Sequence, residues 1–119
     1  MIKKILVIED DEDILDSIDT LLSLNNFEVK GITQTNDIIE VLKANKPDLV
    51  LTDYILPGMN GGKICQVIKN NKELAHIPVI LMTAYHKQAI AIGNFGHDAY
   101  LPKPFENQHL VNIINKLLN

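Results

Sequence analysis

Asp48-Leu49-Val50-Leu51-Thr52-Asp53-Tyr54-Ile55-Leu56-Pro57-Gly58-Met59-Asn60-Gly61 is the stretch on which the fold prediction depends. Its apolar run at 49–51 is too short for a globular helix and predicts a buried strand. The strand ends at Asp53, and Pro57, Gly58 and Gly61 then predict a loop. Open α/β sheets bind ligands at the carboxyl ends of their strands. Asp53 therefore either caps this loop or belongs to a ligand site, and the stretch alone favours neither interpretation.

The size and composition of the chain predict one domain that needs no disulfide. A chain of 119 residues can bury roughly two-thirds of the surface that its unfolded form exposes. The apolar runs have the length of strands, so no membrane contact is expected. The single cysteine, Cys65, lies in a helical apolar pattern and predicts a core residue rather than a reactive thiol. It fits a reducing compartment, and no signal-peptide pattern is present, so we expect a cytoplasmic protein.

The charge distribution argues against direct nucleic-acid binding by this domain. The formal net charge is −4, and all 11 basic residues are lysines. They form no basic stripe that could displace phosphate counterions. Five consecutive acids occupy positions 9–13. Without arginine, an anion could be bound only by lysine, hydroxyl groups, backbone amides or a metal ion.

The apolar patterns along the chain predict five strands, each followed by a helix. The strands are predicted at 5–8, 27–32, 49–51, 79–82 and 99–101, and the fourth helix over 87–94. Asp11 and Thr35 are the predicted N-caps of the first two helices. This alternation requires parallel strands with right-handed crossovers, and Pro102 places the fifth strand at an edge. We predict the α/β class: a doubly wound five-stranded parallel sheet of order 2-1-3-4-5, in a flavodoxin-like (βα)5 three-layer sandwich.

In this fold, polar side chains from four strands converge at one edge of the sheet. They are Glu9 and Asp10, Asp53, Thr83 and Lys103. Converging carboxylates raise one another's pKa unless a cation lies among them. Mg²⁺ suits such oxygen ligands, whereas no histidine and cysteine cluster suggests zinc. A magnesium site beside an ammonium and a hydroxyl suits a phosphoryl group, and Asp53 is the best candidate to form an aspartyl phosphate.

Four sequence segments together resemble the receiver domain of two-component response regulators, in the CheY-like superfamily. They are Ile5-Leu6-Val7-Ile8-Glu9-Asp10-Asp11, Asp53 with Pro57 and Gly61, Met82-Thr83-Ala84, and Tyr100-Leu101-Pro102-Lys103-Pro104-Phe105. Each segment is a weak signal, but all four occur in order and at predicted strand ends. The resemblance implies a receiver domain over residues 1–119, either as a stand-alone regulator or as part of a longer protein.

The resemblance also implies roles for the residues of the site. Asp53 would accept a phosphoryl group from a phosphohistidine on a sensor histidine kinase or a histidine phosphotransfer protein. The implied magnesium ligands are Asp10, Glu9 (directly or through water), Asp53 and the backbone carbonyl of Ile55. Lys103 would neutralise charge on the phosphoryl oxygens.

The resemblance further implies a conformational switch. Thr83 would move toward the phosphoryl group and Tyr100 would turn inward, which would remodel the face of the fourth helix, fifth strand and fifth helix. A homodimer through that face is a possible consequence. The Lys103–Pro104 bond is expected to be cis. Ile55 and Tyr85 occupy positions that tune dephosphorylation in the family, and their size predicts a long-lived phosphoryl group.

Two other functions compete with a signalling receiver that catalyses only its own phosphorylation and dephosphorylation. One is a Mg²⁺-dependent phosphohydrolase or phosphotransferase acting on an external substrate. Such enzymes often carry an Asp-x-Asp pair, but Ile55 stands two positions after Asp53. The other is an FMN-binding flavodoxin, in which the five acids after the first strand would repel the phosphate.

Overall fold

The central sheet has five parallel strands, and its order confirms the predicted topology. The strands are β1 (Lys4–Ile8), β2 (Glu28–Ile32), β3 (Leu49–Asp53), β4 (Val79–Thr83) and β5 (Ala99–Pro102). They pair in the order β2-β1-β3-β4-β5. The computed structural model describes residues 1–84 and 95–119. Pro102 lies in β5 at the edge of the sheet, where its missing N–H interrupts no ladder.

Four helices are present in the described residues: α1 (Glu12–Leu24), α2 (Ile38–Asn45), α3 (Gly61–Lys69) and α4 (Asn107–Leu118). The helix predicted over 87–94 lies outside those residues. Asp11 caps α1 as predicted, since its carboxylate accepts hydrogen bonds from the amides of Asp13 and Ile14. None of the helices in the described part of the chain has the length and hydrophobicity needed to cross a bilayer.

The predicted N-cap of α2 was wrong by two residues. The cap is Asp37, whose carboxylate accepts a hydrogen bond from the Glu40 amide at 3.2 Å. The Thr35 hydroxyl instead accepts from the Asp37 amide at 3.0 Å. Threonine and aspartate are both good caps, so local sequence does not decide between them. Thr35 lies outside the helix because its backbone pairs with Gly58.

The sheet separates two apolar layers, and this arrangement leaves one rim of the sheet open for polar residues. Successive side chains of a strand point to opposite faces. Leu6 and Ile8 therefore pack with α2 and α3, while Ile5 and Val7 pack with α1 and α4. The helices cover both faces of the sheet. The residues at the carboxyl ends of β1, β3, β4 and β5 lie at this rim.

Candidate functional site

The sheet register places Glu9 and Asp53 side by side at this rim. In the β1–β3 pairing, Ile8 lies opposite Thr52, so the next residue of each chain segment continues in register. The Glu9 amide donates a hydrogen bond to the Ile32 carbonyl at 3.1 Å, which extends the ladder beyond β1. Asp53 is the last residue of β3. Two carboxylates are thus fixed on neighbouring strands.

Glu9, Asp10 and Asp53 form a carboxylate cluster. One oxygen atom of each residue lies within 4.8 Å of the others, and no other such group of His, Cys, Asp or Glu exists among residues 1–84 and 95–119. Glu9 is 1% exposed and Asp53 is 9% exposed, whereas Asp10 is open to solvent. The cluster therefore has two desolvated carboxylates and one on the solvent side.

Lys103 brings a positive charge to the same place. Its ammonium donates a hydrogen bond to Glu9 Oε1 at 2.5 Å and lies 3.5 Å from Asp53 Oδ1. The Lys103 amide donates to the Thr83 carbonyl at 2.7 Å, and the Lys103–Pro104 peptide bond is cis. The backbone after β5 is thereby held against the end of β4. One ammonium thus contacts two of the three carboxylates in the cluster.

The pKa values in the site follow from burial and from these contacts. Burial raises the pKa of the Glu9 carboxyl to about 7; the hydrogen bond from Lys103 opposes this rise, and the charge of Asp53 adds to it. Burial lowers the pKa of the Lys103 ammonium, but the hydrogen bond to Glu9 and the charge of Asp53 outweigh it, so that pKa is raised. Negative charge is therefore in excess in the cluster.

The donor set fits a hard divalent cation. Glu9 Oε2 is buried and has no hydrogen-bond partner in the described part of the chain. A buried carboxylate oxygen without a partner is costly, and coordination to a cation would satisfy it. All side-chain donors are oxygens, which Mg²⁺ prefers, and the exposed Asp10 leaves room for the waters that this ion usually keeps.

The other predicted site residues lie around the cluster. Thr83 is buried at the end of β4, where it pairs with Pro102. Tyr100 is 41% exposed on β5. Ile55 follows the cluster in the loop after β3, and its side chain is 59% exposed. Tyr85 lies outside the described residues. The structure thus brings the three acids and Lys103 into one site, with Thr83 at the same rim.

The loop after Asp53, residues 54–60, is closed by tight backbone contacts. The Tyr54 amide donates to the Met82 carbonyl, and the Gly61 amide donates to the Tyr54 carbonyl, both at 2.8 Å. A Cβ atom on Gly61 would lie 2.2 Å from the Asp53 carbonyl oxygen, so a side chain is excluded there. Pro57 and Gly58 lie in this loop and Gly61 directly follows it, which confirms the predicted loop. The contact of the loop with Thr35 was not predicted, because periodicity carries no signal for contacts between loops.

Comparisons with known proteins agree with this architecture. Residues 5–115 match the family model of the response regulator receiver domain. The transcriptional regulatory protein GltR of Pseudomonas aeruginosa is 33% identical over 118 residues, which cover 98% of this chain and 49% of GltR. The chain thus spans about half the length of that curated relative.

Two solved structures are similar over nearly the whole chain. A response regulator receiver domain protein of Clostridium thermocellum is 33% identical, with a TM-score of 0.87 and coverage of 99% of this chain and 95% of that one. The response regulator TrrA of Thermotoga maritima, solved in complex with Mg²⁺ and BeF, is 26% identical, with a TM-score of 0.88 and coverage of 98% and 100%. Because the family model matches almost all of the sequence, the chain belongs to the response regulator receiver domain family, the signalling switches of two-component phosphorelays.

Proposed function

We propose that Asp53 accepts a phosphoryl group from a phosphohistidine on a sensor histidine kinase or a histidine phosphotransfer protein. The observation that carries this proposal is the cluster of Glu9, Asp10 and Asp53 with the Lys103 ammonium 3.5 Å from Asp53 Oδ1. In the transfer, a carboxylate oxygen of Asp53 attacks phosphorus and the bond from phosphorus to the imidazole nitrogen breaks. Asp53 is 9% exposed, so the donor can reach it only at the open rim of the sheet.

The carboxylates of Glu9, Asp10 and Asp53, with the backbone carbonyl of Ile55, would hold Mg²⁺. When bound, the ion would supply positive charge to the phosphoryl oxygens and align them for transfer. The buried Glu9 oxygen without a partner supports this assignment. So does the likeness to TrrA, which was solved with Mg²⁺ and BeF.

Lys103 and Thr83 would bind the phosphoryl oxygens opposite the metal. The raised pKa of the Lys103 ammonium keeps it charged at neutral pH. The ammonium lies between Glu9 and Asp53. With little movement it could replace its hydrogen bond to the Glu9 carboxylate by one to an oxygen of a phosphoryl group on Asp53. The Thr83 hydroxyl would donate a further hydrogen bond, since β4 ends at the same rim.

Movement of Thr83 would be coupled to Tyr100 and to the face that the resemblance assigns to the predicted fourth helix, β5 and α4. Tyr100 pairs with Leu81, two residues before Thr83 on the adjacent strand. Tyr100 is 41% exposed on an edge strand, so a change in its orientation would alter the protein surface. A homodimer through this surface is part of the proposal. Direct nucleic-acid binding by this domain is not, because its net charge is −4.

The decisive experiment is incubation of the protein with acetyl phosphate and Mg²⁺, with incorporation measured by intact-protein mass spectrometry. One phosphoryl group per chain is expected, and none in Asp53→Asn. Asp16→Asn, which removes an exposed carboxylate of α1 outside the cluster, should behave as the wild type. Rapid multiple turnover of an unrelated phosphate ester would instead favour a phosphohydrolase, and incorporation in Asp53→Asn would refute the assignment of the acceptor.

A further inference from the structure

Two loops meet beside the carboxylate cluster. Residues 33–37 connect β2 to α2, and residues 54–60 connect β3 to α3. Thr35 and Gly58 form an isolated parallel bridge, and the Met59 amide donates a hydrogen bond to the Thr35 carbonyl at 3.1 Å. The loop that carries Ile55 is therefore attached to a loop from a different part of the sheet.

The contact at Gly58 brings two backbones too close for a side chain. Gly58 has a φ of +72°, a conformation that other residues rarely adopt. A Cβ atom at this position would lie 2.7 Å from Asn36 Oδ1 and 2.9 Å from the Thr35 carbonyl oxygen. Because the Thr35 carbonyl is backbone, it cannot rotate away. Any side chain at position 58 would have to push the two loops apart.

The 33–37 loop is itself fixed in place. The Thr35 hydroxyl accepts from the Asp37 amide at 3.0 Å, and the Asp37 carboxylate caps α2. Ile38 and Leu42 of that helix are almost completely buried in the core. Hydrogen bonds of the Tyr54 and Gly61 amides already hold the two ends of the 54–60 loop. The 33–37 loop can therefore act as a rigid support for the middle of the 54–60 loop.

We propose that Thr35 and Gly58 are positioning residues that set the Mg²⁺ affinity of the site. Their contact would hold the 54–60 loop, which carries the Ile55 carbonyl, in one position before the cation binds. A ligand that is already in place loses less conformational freedom on binding, which increases affinity. This inference rests on the proposed function, since it requires that the cluster binds magnesium.

Isothermal titration of the whole chain with MgCl₂ tests the proposal. Gly58→Ala should raise the Kd for Mg²⁺ at least fivefold, equivalent to about 1 kcal/mol. Gly96→Ala is the matched control, because Gly96 also has a positive φ, +85°, but lies against Lys69 rather than either loop. Its Kd should stay within twofold of the wild type. Equal affinity of Gly58→Ala and the wild type would overturn the inference.

Thr35→Ala provides a milder variant in case Gly58→Ala does not fold. It removes the hydroxyl that accepts from the Asp37 amide and leaves the backbone bridge in place. We expect a rise in Kd of about twofold or more, in the same direction. If Gly58→Ala does not fold, an unchanged Kd in Thr35→Ala would overturn the proposal. If the wild type itself binds no Mg²⁺, the proposed function fails and this inference fails with it.

Hydrogen exchange of the Met59 amide gives a second readout that a purely structural role would not change. Coupling between two sites is reciprocal, so bound Mg²⁺ should strengthen the hydrogen bond from this amide to Thr35. Exchange at Met59 should therefore slow at least threefold at saturating Mg²⁺ in the wild type. It should not slow in Asp10→Asn, which lacks one proposed ligand. No effect of Mg²⁺ in the wild type would contradict the coupling.

Discussion

The Lys103 ammonium donates a hydrogen bond to Glu9 Oε1, although 94 sequence positions separate the two residues. The strands that precede them, β5 and β1, are not neighbours in the sheet, since β3 and β4 lie between them. The lysine side chain thus reaches across the open rim to a glutamate that is almost completely buried. This ion pair links the ends of β1 and β5 and compensates the charge of one carboxylate.

Lys103→Ala should destabilise the metal-free protein. Removal of one partner of a buried ion pair leaves the other charge without compensation. We expect the free energy of unfolding to fall by about 2 kcal/mol at pH 8, measured by urea unfolding in EDTA. The loss is no larger because Lys103 is partly exposed and Glu9 can take up a proton. Glu9→Gln in the same chain should restore part of the loss. Lys116→Ala, at an exposed position of α4, is the control, and equal losses in both lysine variants would contradict the argument.

Asp10→Asn should remove the stabilisation of the protein by magnesium. Asp10 is exposed and shares the cluster with two carboxylates, so its neutralisation also relieves repulsion in EDTA. Mg²⁺ at ten times its Kd should stabilise the wild type by about 1.4 kcal/mol and the variant by much less. Thermal unfolding with and without MgCl₂ measures this difference. If Mg²⁺ stabilised Asp10→Asn as much as the wild type, Asp10 would be excluded as a ligand.

Much of the site could be predicted because strand ends are visible in sequence. The apolar runs before Glu9, Asp53 and Lys103 define where each strand stops, and parallel pairing then brings those ends together. The exposures of Glu9 and Asp10 could not be predicted. They depend on the Glu9 amide continuing the ladder to Ile32, which is a tertiary contact.

The contact of Thr35 with Gly58 could not be predicted from the sequence either. Threonine, asparagine and aspartate at positions 35–37 all have side chains that can cap a helix. The position of Thr35 depends instead on the backbone of the 54–60 loop, through the bridge to Gly58. Local patterns describe which residues form turns, but they do not describe which turns touch.

Ile55→Ala should shorten the lifetime of the phosphoryl group. The residue stands two positions after Asp53 and is 59% exposed, so we expect its side chain to hinder the approach of water to the phosphoryl group. We expect hydrolysis to be about threefold faster, which corresponds to a barrier lower by about 0.7 kcal/mol. Decay of the phosphorylated protein, followed by mass spectrometry, measures it. Leu24→Ala, which removes the same number of carbon atoms from a side chain that is 78% exposed at the end of α1, should change nothing. A longer lifetime in Ile55→Ala would refute the prediction.

The Cys65 thiol should be unreactive in the folded protein. Burial raises its pKa to about 11, and its Sγ donates a hydrogen bond to the Phe95 carbonyl at 3.3 Å. At pH 8 only about one thiol in a thousand would be ionised, even if reagent could reach it. Ellman's reagent should therefore label Cys65 slowly in buffer and rapidly in 6 M guanidinium. Native labelling at the rate of free cysteine would show that the α3 side of the core opens readily.

Gly62→Ala should reveal how tightly Phe95 packs on α3. A Cβ atom at Gly62 would lie 2.9 Å from the nearest atom of the Phe95 ring, and that ring also packs against Tyr54 with a centroid distance of 5.9 Å. We expect a net destabilisation of about 1 kcal/mol, since overpacking costs more than the helix propensity of alanine returns.

A double-mutant cycle with Phe95→Leu separates these two effects. Leucine leaves space above Gly62, so Gly62→Ala in that background should stabilise α3 by about 0.5 kcal/mol through helix propensity alone. Urea unfolding of the four proteins gives the coupling energy. The sign of Gly62→Ala should thus reverse between the two backgrounds. Stabilisation in both backgrounds would mean that the Phe95 ring moves away at little cost, and destabilisation in both would mean that this ring is not what opposes the added Cβ atom.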